Sequence, residues 1–304
     1  MYNMQIVSNI LPKKLSFLSI FNDFKQLTKV GLSLSVVFSS IAGYLLAVDK
    51  INIVTLVMLA IGGYLMVGAS NAFNQIIEKD TDALMKRTKN RPLPAGRMHV
   101  SMAMVIAVSF TLLGLAILYS INPKSALFGA VSIFLYTSVY TPLKSVTPLS
   151  VFVGAIPGAI PFMLGWVAAT NHFSIEAGTL FLIQFFWQFP HFWAIAWLQF
   201  DEYKKAGFNL MPMGKKNRKA VIQIIIYIVC LTLVSIIPVF KRTGDFYIFP
   251  VTAIILVALG GKMLFYAIKL YKFQTDKHAR QLMLSSVLYI TLIQIIYVVD
   301  KFLH

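Results

Sequence analysis

Nine long apolar runs, separated by short polar breaks, constrain this chain more than any other feature. They cover about 27–48, 53–77, 99–119, 124–142, 148–168, 177–199, 219–239, 246–268 and 281–300. Each is close to the roughly 20 residues that a helix needs to cross a hydrocarbon core of about 30 Å. In hydrocarbon only a helix or a closed barrel can satisfy its own backbone polar groups. Barrel strands alternate polar and apolar residues, and these runs do not alternate. The sequence therefore predicts an all-α membrane protein, a polytopic bundle of about nine transmembrane helices. Composition agrees: 58% of the 304 residues are hydrophobic and 12% are charged, about half the charged share of a soluble domain. No internal repeat or low-complexity stretch divides the runs. Residues 27–304 read as one intramembrane domain, preceded by an N-terminal segment, 1–26, on the cytoplasmic side.

The net charge of +16 raises the question of nucleic acid, but the distribution of the charge answers it. With the N-terminus inside, the inward segments are 1–26, 78–98, 143–147, 200–218 and 269–280. Together with Lys29 and Lys219 at span edges, they hold 21 of the 27 Lys and Arg. That asymmetry is the positive-inside pattern, so the N-terminus is expected inside, the C-terminus outside, and no nucleic acid is implied. Cys230, the one cysteine, lies within an apolar run, which leaves no internal disulfide to form and reads as a small buried apolar residue. The first 26 residues carry Lys13, Lys14 and Lys25 but no Arg, and resemble neither a cleaved signal peptide nor an Arg-rich transit peptide. A plasma membrane of bacterial type is the expected location.

Acidic residues are less easily explained. Seven of the eleven are also inward, although Asp and Glu contribute little to topology. Five of the seven fall in two loops: Glu78, Asp80 and Asp82 in the first, Asp201 and Glu202 in the second. Asn74, Glu78 and Asp82 are spaced i, i+4, i+8, which puts them within an arc of roughly 80° if the second span stays helical that far. Asp80 points away from that face. Two carboxylates and an amide oxygen are hard donors that suit Mg²⁺, an ion that keeps several waters and shares substrate phosphates. Lys86, Arg87, Lys89, Arg91 and Arg97 follow, and such cations grip the phosphate oxygens that a metal leaves free. For one loop, acids and bases that merely pair at the membrane surface would be an equally good account. A second mixed-sign cluster on the same side, "QFDEYKKAGFNLMP" (199–212), favours a diphosphate site closed by both loops.

The motifs now identify a resemblance. Asn-x₃-(Asp/Glu)-x₃-Asp at the end of the second span resembles the first signature of the UbiA-like intramembrane prenyltransferases. "RTKNRPL" (87–93), "YTPLKSVTP" (140–148), "GAIPGAIPFMLGW" (154–166) and "WQFPHFWAIAWLQFDEY" (187–203) are similar to the branch of that superfamily that farnesylates protohaem IX. The resemblance covers about residues 25–300. It implies that farnesyl diphosphate ionises, that its allylic carbon joins a vinyl group of haem B, and that water completes the hydroxyethylfarnesyl group of haem O. Mg²⁺ is then the cofactor, and haem B is a substrate. The resemblance also implies a lipid-embedded enzyme with its active-site loops on the cytoplasmic face, associated with haem A synthase or terminal-oxidase assembly.

Carried over position by position, Asn74, Glu78 and Asp82 take the first metal–diphosphate motif, with Glu78 where the family more often has Asp. Glu202 and Tyr203 take the acidic residue–Tyr pair of the second loop. The superfamily's Asp-x₃-Asp is absent there, because at that spacing Asp201 is followed by Lys205 and Glu202 by Ala206; Glu202 rather than Asp201 is expected on the metal side. Lys86, Arg87, Lys89, Arg91, Lys144 and Lys205 are candidates for the diphosphate, with Thr147 beside them. His191, after Pro190 and eleven residues before Glu202, lies roughly 16 Å deeper along a regular helix. An intramembrane histidine is a functional candidate, here as a haem ligand or propionate contact; the alternative is a partner to the carbonyl that Pro190 frees. Lys262 is expected to snorkel. Two other readings stay open: a prenyltransferase for a quinone-precursor or chlorophyll-type acceptor, and a transporter for an anion. Against the second, the mixed-sign clusters lie on one face, whereas alternating access uses a mid-membrane site.

Overall fold

The computed structural model describes residues 17–303; Lys13, Lys14 and most of the segment 1–26 lie outside them. The helices are α1 Phe17–Leu27, α2 Val30–Ala47, α3 Ile53–Ile77, α4 Lys79–Leu84, α5 Val100–Ile121, α6 Pro123–Phe134, α7 Thr141–Leu143, α8 Ser150–Thr170, α9 Ile175–Leu198, α10 Phe200–Lys205, α11 Arg218–Ile236, α12 Pro250–Phe273 and α13 Asp276–Leu303. A π-helical turn, Leu135–Tyr140, joins α6 to α7. No strand occurs among the described residues.

Eight of the nine expected spans are helices long and apolar enough to cross a membrane, with α6, the π turn and α7 acting as one. The remaining expected span, 177–199, is α9, which is 24 residues long but does not meet that standard of apolarity among the described residues. The reason is its composition: Glu176, Gln184, Gln188 and His191 interrupt the apolar residues, and three of these four are buried within the bundle. It is an interior helix whose polar groups face protein. An integral membrane protein is thus built of eight apolar helices and a less apolar one, which packs against α8, α11 and α13.

Local chemistry sets the helix ends. Asn52, Asn122 and Asn217 each accept the backbone N–H three residues on, from Thr55, Ser125 and Ala220, which caps α3, α6 and α11. Pro123 follows its cap at the first helical position, where no N–H is needed. In the interior, α2 and α8 approach closely because each offers glycine at the crossing. A Cβ on Gly43 would meet the Phe162 carbonyl oxygen at 2.0 Å, and one on Gly165 would meet that of Ser40 at 2.0 Å. Small residues of this kind let membrane helices pack by van der Waals contact.

Prolines inside α8 free backbone carbonyls, and neighbouring side chains take them up. Pro161 cannot donate to the Pro157 carbonyl, and Ser132 Oγ donates to it instead at 3.4 Å. Gln188 Nε2 adds a donor from α9 to the Ala155 carbonyl, which no proline frees, at 2.8 Å. The connections 78–99, 144–149 and 199–217 all emerge at one end of the bundle, together with the start of α2. That end also carries α1, which the sequence did not lead us to expect. Asp23 on α1 pairs with Arg97 at 2.9 Å, and Gln75 Nε2 on α3 donates to the carbonyls of Gln26 and Leu27 at 3.0 and 2.8 Å.

Candidate active site

The polar end of α3 forms one wall. The helix ends at Ile77 with Glu78 as its C-cap, and α4 restarts at Lys79. The break does not lose the helical spacing. Glu78 N–H still donates to the Asn74 carbonyl at 2.9 Å, and Asp82 N–H to that of Glu78 at 2.7 Å. Asn74, Glu78 and Asp82 are all buried, whereas Asp80 is exposed.

Each acid on this wall faces a cation from another segment. Lys144 Nζ lies 2.8 Å from Glu78 Oε1, and Arg91 lies 2.6 Å from Asp82 Oδ2. The π turn helps to bring Lys144 there. Its wider i→i+5 bonding is typical of functional sites; here Thr141 Oγ1 donates to the Tyr136 carbonyl at 2.7 Å and takes a hydrogen bond from Asn74 Nδ2 at 3.3 Å. Lys144 Nζ also lies over the Tyr140 ring, 4.5 Å from its centre, and 5.9 Å from that of Phe208. Burial works against the charge on Lys144, but Glu78 beside it prevails and holds its pKa above the ordinary value.

The second loop closes against this wall. Glu202 Oε2 accepts the Lys86 backbone N–H at 2.6 Å, and Lys205 Nζ binds Oε1 at 2.8 Å. These two donors keep the Glu202 carboxyl below the usual range, Lys205 contributing most. Met85 packs with Ala206 and Phe208, and Tyr203 lies against them. Asn209 N–H donates to the Lys144 carbonyl at 3.1 Å. Segments 78–98, 143–147 and 200–211 therefore form a single charged surface at one end of the bundle.

Not every residue singled out in the sequence enters it. The side chains of Lys86, Arg87 and Lys89 are exposed, Arg97 belongs to Asp23 on α1, and Asp201 is exposed where Glu202 turns inward. Thr147 Oγ1 accepts the Leu149 N–H within its own turn. His191 is remote, on α9, where its Nδ1 lies 3.0 Å from Ser286 Oγ on α13, so its partner is a hydroxyl of a neighbouring helix and not the carbonyl that Pro190 frees.

Lys29 was read from the sequence only as a topology residue, yet it belongs to this surface. It stands between α1 and α2 with φ 46° and ψ 57°, a left-handed conformation uncommon for a side-chain-bearing residue. Burial first, then the charges of Arg91 and Lys144, lower its pKa to about 7, against the opposing pull of Glu78 and Asp82. The only signal in the sequence was a basic residue at the very start of the first span.

Asp82 carries the observation that bears most on a metal. Its Oδ1 is buried and has no hydrogen-bond partner, and burial raises its pKa although Arg91 opposes the rise. A buried carboxylate oxygen without a partner fits a cation. Among the described residues no three His, Cys, Asp or Glu gather into a metal cage. Mg²⁺ needs no such cage, because it takes one or two carboxylates and completes its shell with water and substrate phosphate.

The structure is thus a bundle of helices long and apolar enough to span a membrane, with a mixed-sign, partly buried surface at one end. The chain belongs to the UbiA prenyltransferase family, which matches residues 36–293. Within it, the protein named protoheme IX farnesyltransferase of Flavobacterium psychrophilum is 65% identical over 304 residues, covering 99% of this chain and 100% of that one. Among solved structures, a digeranylgeranylglyceryl phosphate synthase superposes with a TM-score of 0.77 at 17% identity, over 92% of this chain and 98% of the other. A UbiA homologue from Archaeoglobus fulgidus, bound to GPP and Mg²⁺, gives 0.65 at 15% identity, over 91% and 99%.

Proposed function

We propose that this chain transfers the farnesyl group of farnesyl diphosphate to a vinyl group of haem B, giving haem O. The bond between the allylic carbon and the diphosphate oxygen breaks, and its electron pair leaves on diphosphate. The vinyl π electrons form the new C–C bond, and water adds to the resulting cation with loss of a proton. The acceptor rests on the 65% identity to a protein named for this activity.

The chain's own residues divide the work. Asn74, Glu78 and Asp82, with Glu202 across the gap, would hold Mg²⁺ through the diphosphate, Asp82 Oδ1 being the oxygen left without a partner. The ion, when bound, would neutralise charge developing on the leaving group. Lys144 and Arg91 are already beside the acids and can turn to phosphate oxygens, as can Lys29 and Lys205. Donors held in place in this way favour the charge of the transition state over that of the ground state. Tyr203 packs over Met85 and Phe208, which helps to close the two loops over the substrate. His191 is the candidate contact for haem. The site faces the cytoplasm of a bacterial plasma membrane, which agrees with the concentration of Lys and Arg at this end, and the product goes to haem A synthase or a terminal oxidase.

Purified protein supplied with haem B, farnesyl diphosphate and Mg²⁺ is expected to yield a farnesylated haem, read by mass. Prenylation of an aromatic acceptor with none of haem would refute the proposal and assign the chain to quinone-type transfer.

A further inference from the structure

Among the interior polar contacts that the diphosphate chemistry does not use, one group centres on a histidine. His191 and Trp187 lie one turn apart on α9 and both meet Ser286 of α13. Trp187 Nε1 donates to the Ser286 carbonyl at 2.6 Å, and the indole and imidazole rings stack with centres 4.8 Å apart at 18°. Ser286 Oγ donates to the Met283 carbonyl at 2.6 Å, and His191 Nδ1 lies 3.0 Å from that same Oγ.

These contacts favour one placement of a proton. A serine hydroxyl has one hydrogen to give and two lone pairs with which to accept. In the arrangement where Ser286 gives its hydrogen to the Met283 carbonyl, Nδ1 carries a hydrogen and donates it to Oγ. A neutral imidazole has one N–H, and Nε2 is then a bare lone pair. That is the form in which histidine binds a metal, with the tautomer set by what the other nitrogen donates to. Stacking on Trp187 limits rotation of the ring. His191 is only half-buried although its helix is an interior one.

We infer that His191 ligates the iron of the porphyrin acceptor through Nε2, and that Ser286 and Trp187 are positioning residues that hold the ring and its tautomer. This rests on haem B being the acceptor. Ligation eleven residues deeper on the helix than Glu202 would set the macrocycle away from the leaving group. Its rim, where the vinyl groups are, would then face the allylic carbon.

The test is spectroscopic and needs no turnover. Haem B is titrated into the full-length protein in detergent without farnesyl diphosphate, and the Soret and visible bands are followed. Wild type is expected to give the spectrum of a histidine-ligated haem. His191→Ala is expected to lose it, and added imidazole to restore it. Ser286→Ala is expected to keep the ligated spectrum while haem affinity falls about tenfold, as for other groups that orient a ligating histidine; Ser286→Thr, which keeps the hydroxyl, should restore affinity. Thermal melting of each variant identifies any that fails to fold, and the imidazole arm then tests ligation on the folded ones. An unchanged spectrum in folded His191→Ala that still farnesylates haem overturns this inference alone. Failure of wild type to farnesylate haem overturns the proposed function instead.

Discussion

Removing the charge of Glu78 separates a structural from a chemical role, because its partner is buried with it. The Glu78 and Lys144 side chains are 8% and 9% exposed and meet at 2.8 Å. Breaking a buried ion pair by deleting one partner typically destabilises by about 3–5 kcal/mol, because the other charge is left uncompensated. In Glu78→Gln the amide oxygen can still accept from Lys144, and the Tyr140 ring still faces the ammonium, so the loss should fall near the low end, about 3 kcal/mol. Glu78→Gln/Lys144→Met removes both charges and should return to within about 1 kcal/mol of wild type, since replacing a whole buried pair is often neutral. Turnover should behave otherwise. A carboxylate that acts on the metal–diphosphate side is lost in both variants, and each should fall by on the order of 10²–10³-fold in kcat. Stability is read by thermal unfolding in detergent and turnover by the mass of farnesylated haem. A double variant that regains turnover along with stability would refute the reasoning, because Glu78 would then serve only to neutralise Lys144.

The second loop offers a sharper contrast: Glu202→Gln should reduce turnover by about 10²-fold, whereas Asp201→Asn, an exposed neighbour, should stay within a few-fold, and equal losses would contradict the inward assignment of Glu202. With its pKa lowered to about 7, Lys29 is charged below that pH and neutral above it. An anion beside it favours the charged form, so inorganic pyrophosphate should bind with proton uptake near pH 8 and more weakly as pH rises through 7. Calorimetry in buffers of different ionisation enthalpy should show that uptake, and Lys29→Met should abolish Lys29's share of it. Gly165→Ala places a methyl 2.0 Å from the Ser40 carbonyl oxygen, closer than real Cβ atoms come, so α2 must move from α8. The variant should be destabilised by more than about 2 kcal/mol in thermal unfolding, and wild-type stability would count against the close crossing.

The spans were legible because apolar length is a strong local signal, and the one that departs is instructive. A helix surrounded by protein is free to carry Gln184, Gln188 and His191, so α9 is recognisable by its length and position more than by hydropathy. The wall of the site was legible for a related reason. Asn74, Glu78 and Asp82 share a face through local spacing, and the i→i−4 bonds persist across the break at Glu78. Partnerships were not legible, because they depend on the fold. Nothing local distinguishes Arg91, which reaches Asp82, from Lys86, Arg87 and Lys89, which remain in solvent. Lys144 is 66 residues from Glu78 in the chain and approaches it only in the folded bundle, just after the π turn that ends the fourth span. Lys29 was read for topology alone, since a lysine at the start of a span serves the positive-inside rule equally well whether or not it turns inward.

Why a site for an anion should contain acids paired with its own bases follows from where it lies. Three cations gathered without partners at the mouth of an apolar bundle would repel one another, and burial would strip them of hydration. Lys29, where burial and the two neighbouring cations prevail, shows the outcome in its lowered pKa. Lys144, with Glu78 in contact, keeps its charge. The acids therefore maintain the bases in the protonated form before substrate arrives. A metal–diphosphate complex carries both signs and can replace each internal pair by two new ones: carboxylate to cation, and ammonium or guanidinium to phosphate. Neither metal alone nor diphosphate alone offers that exchange, because either would release one member of a buried pair with nothing to face. Glu78 thus keeps Lys144 charged in the resting site, and under the proposed chemistry Glu78, Asp82 and Glu202 would also hold the cation and favour the complete complex over its parts.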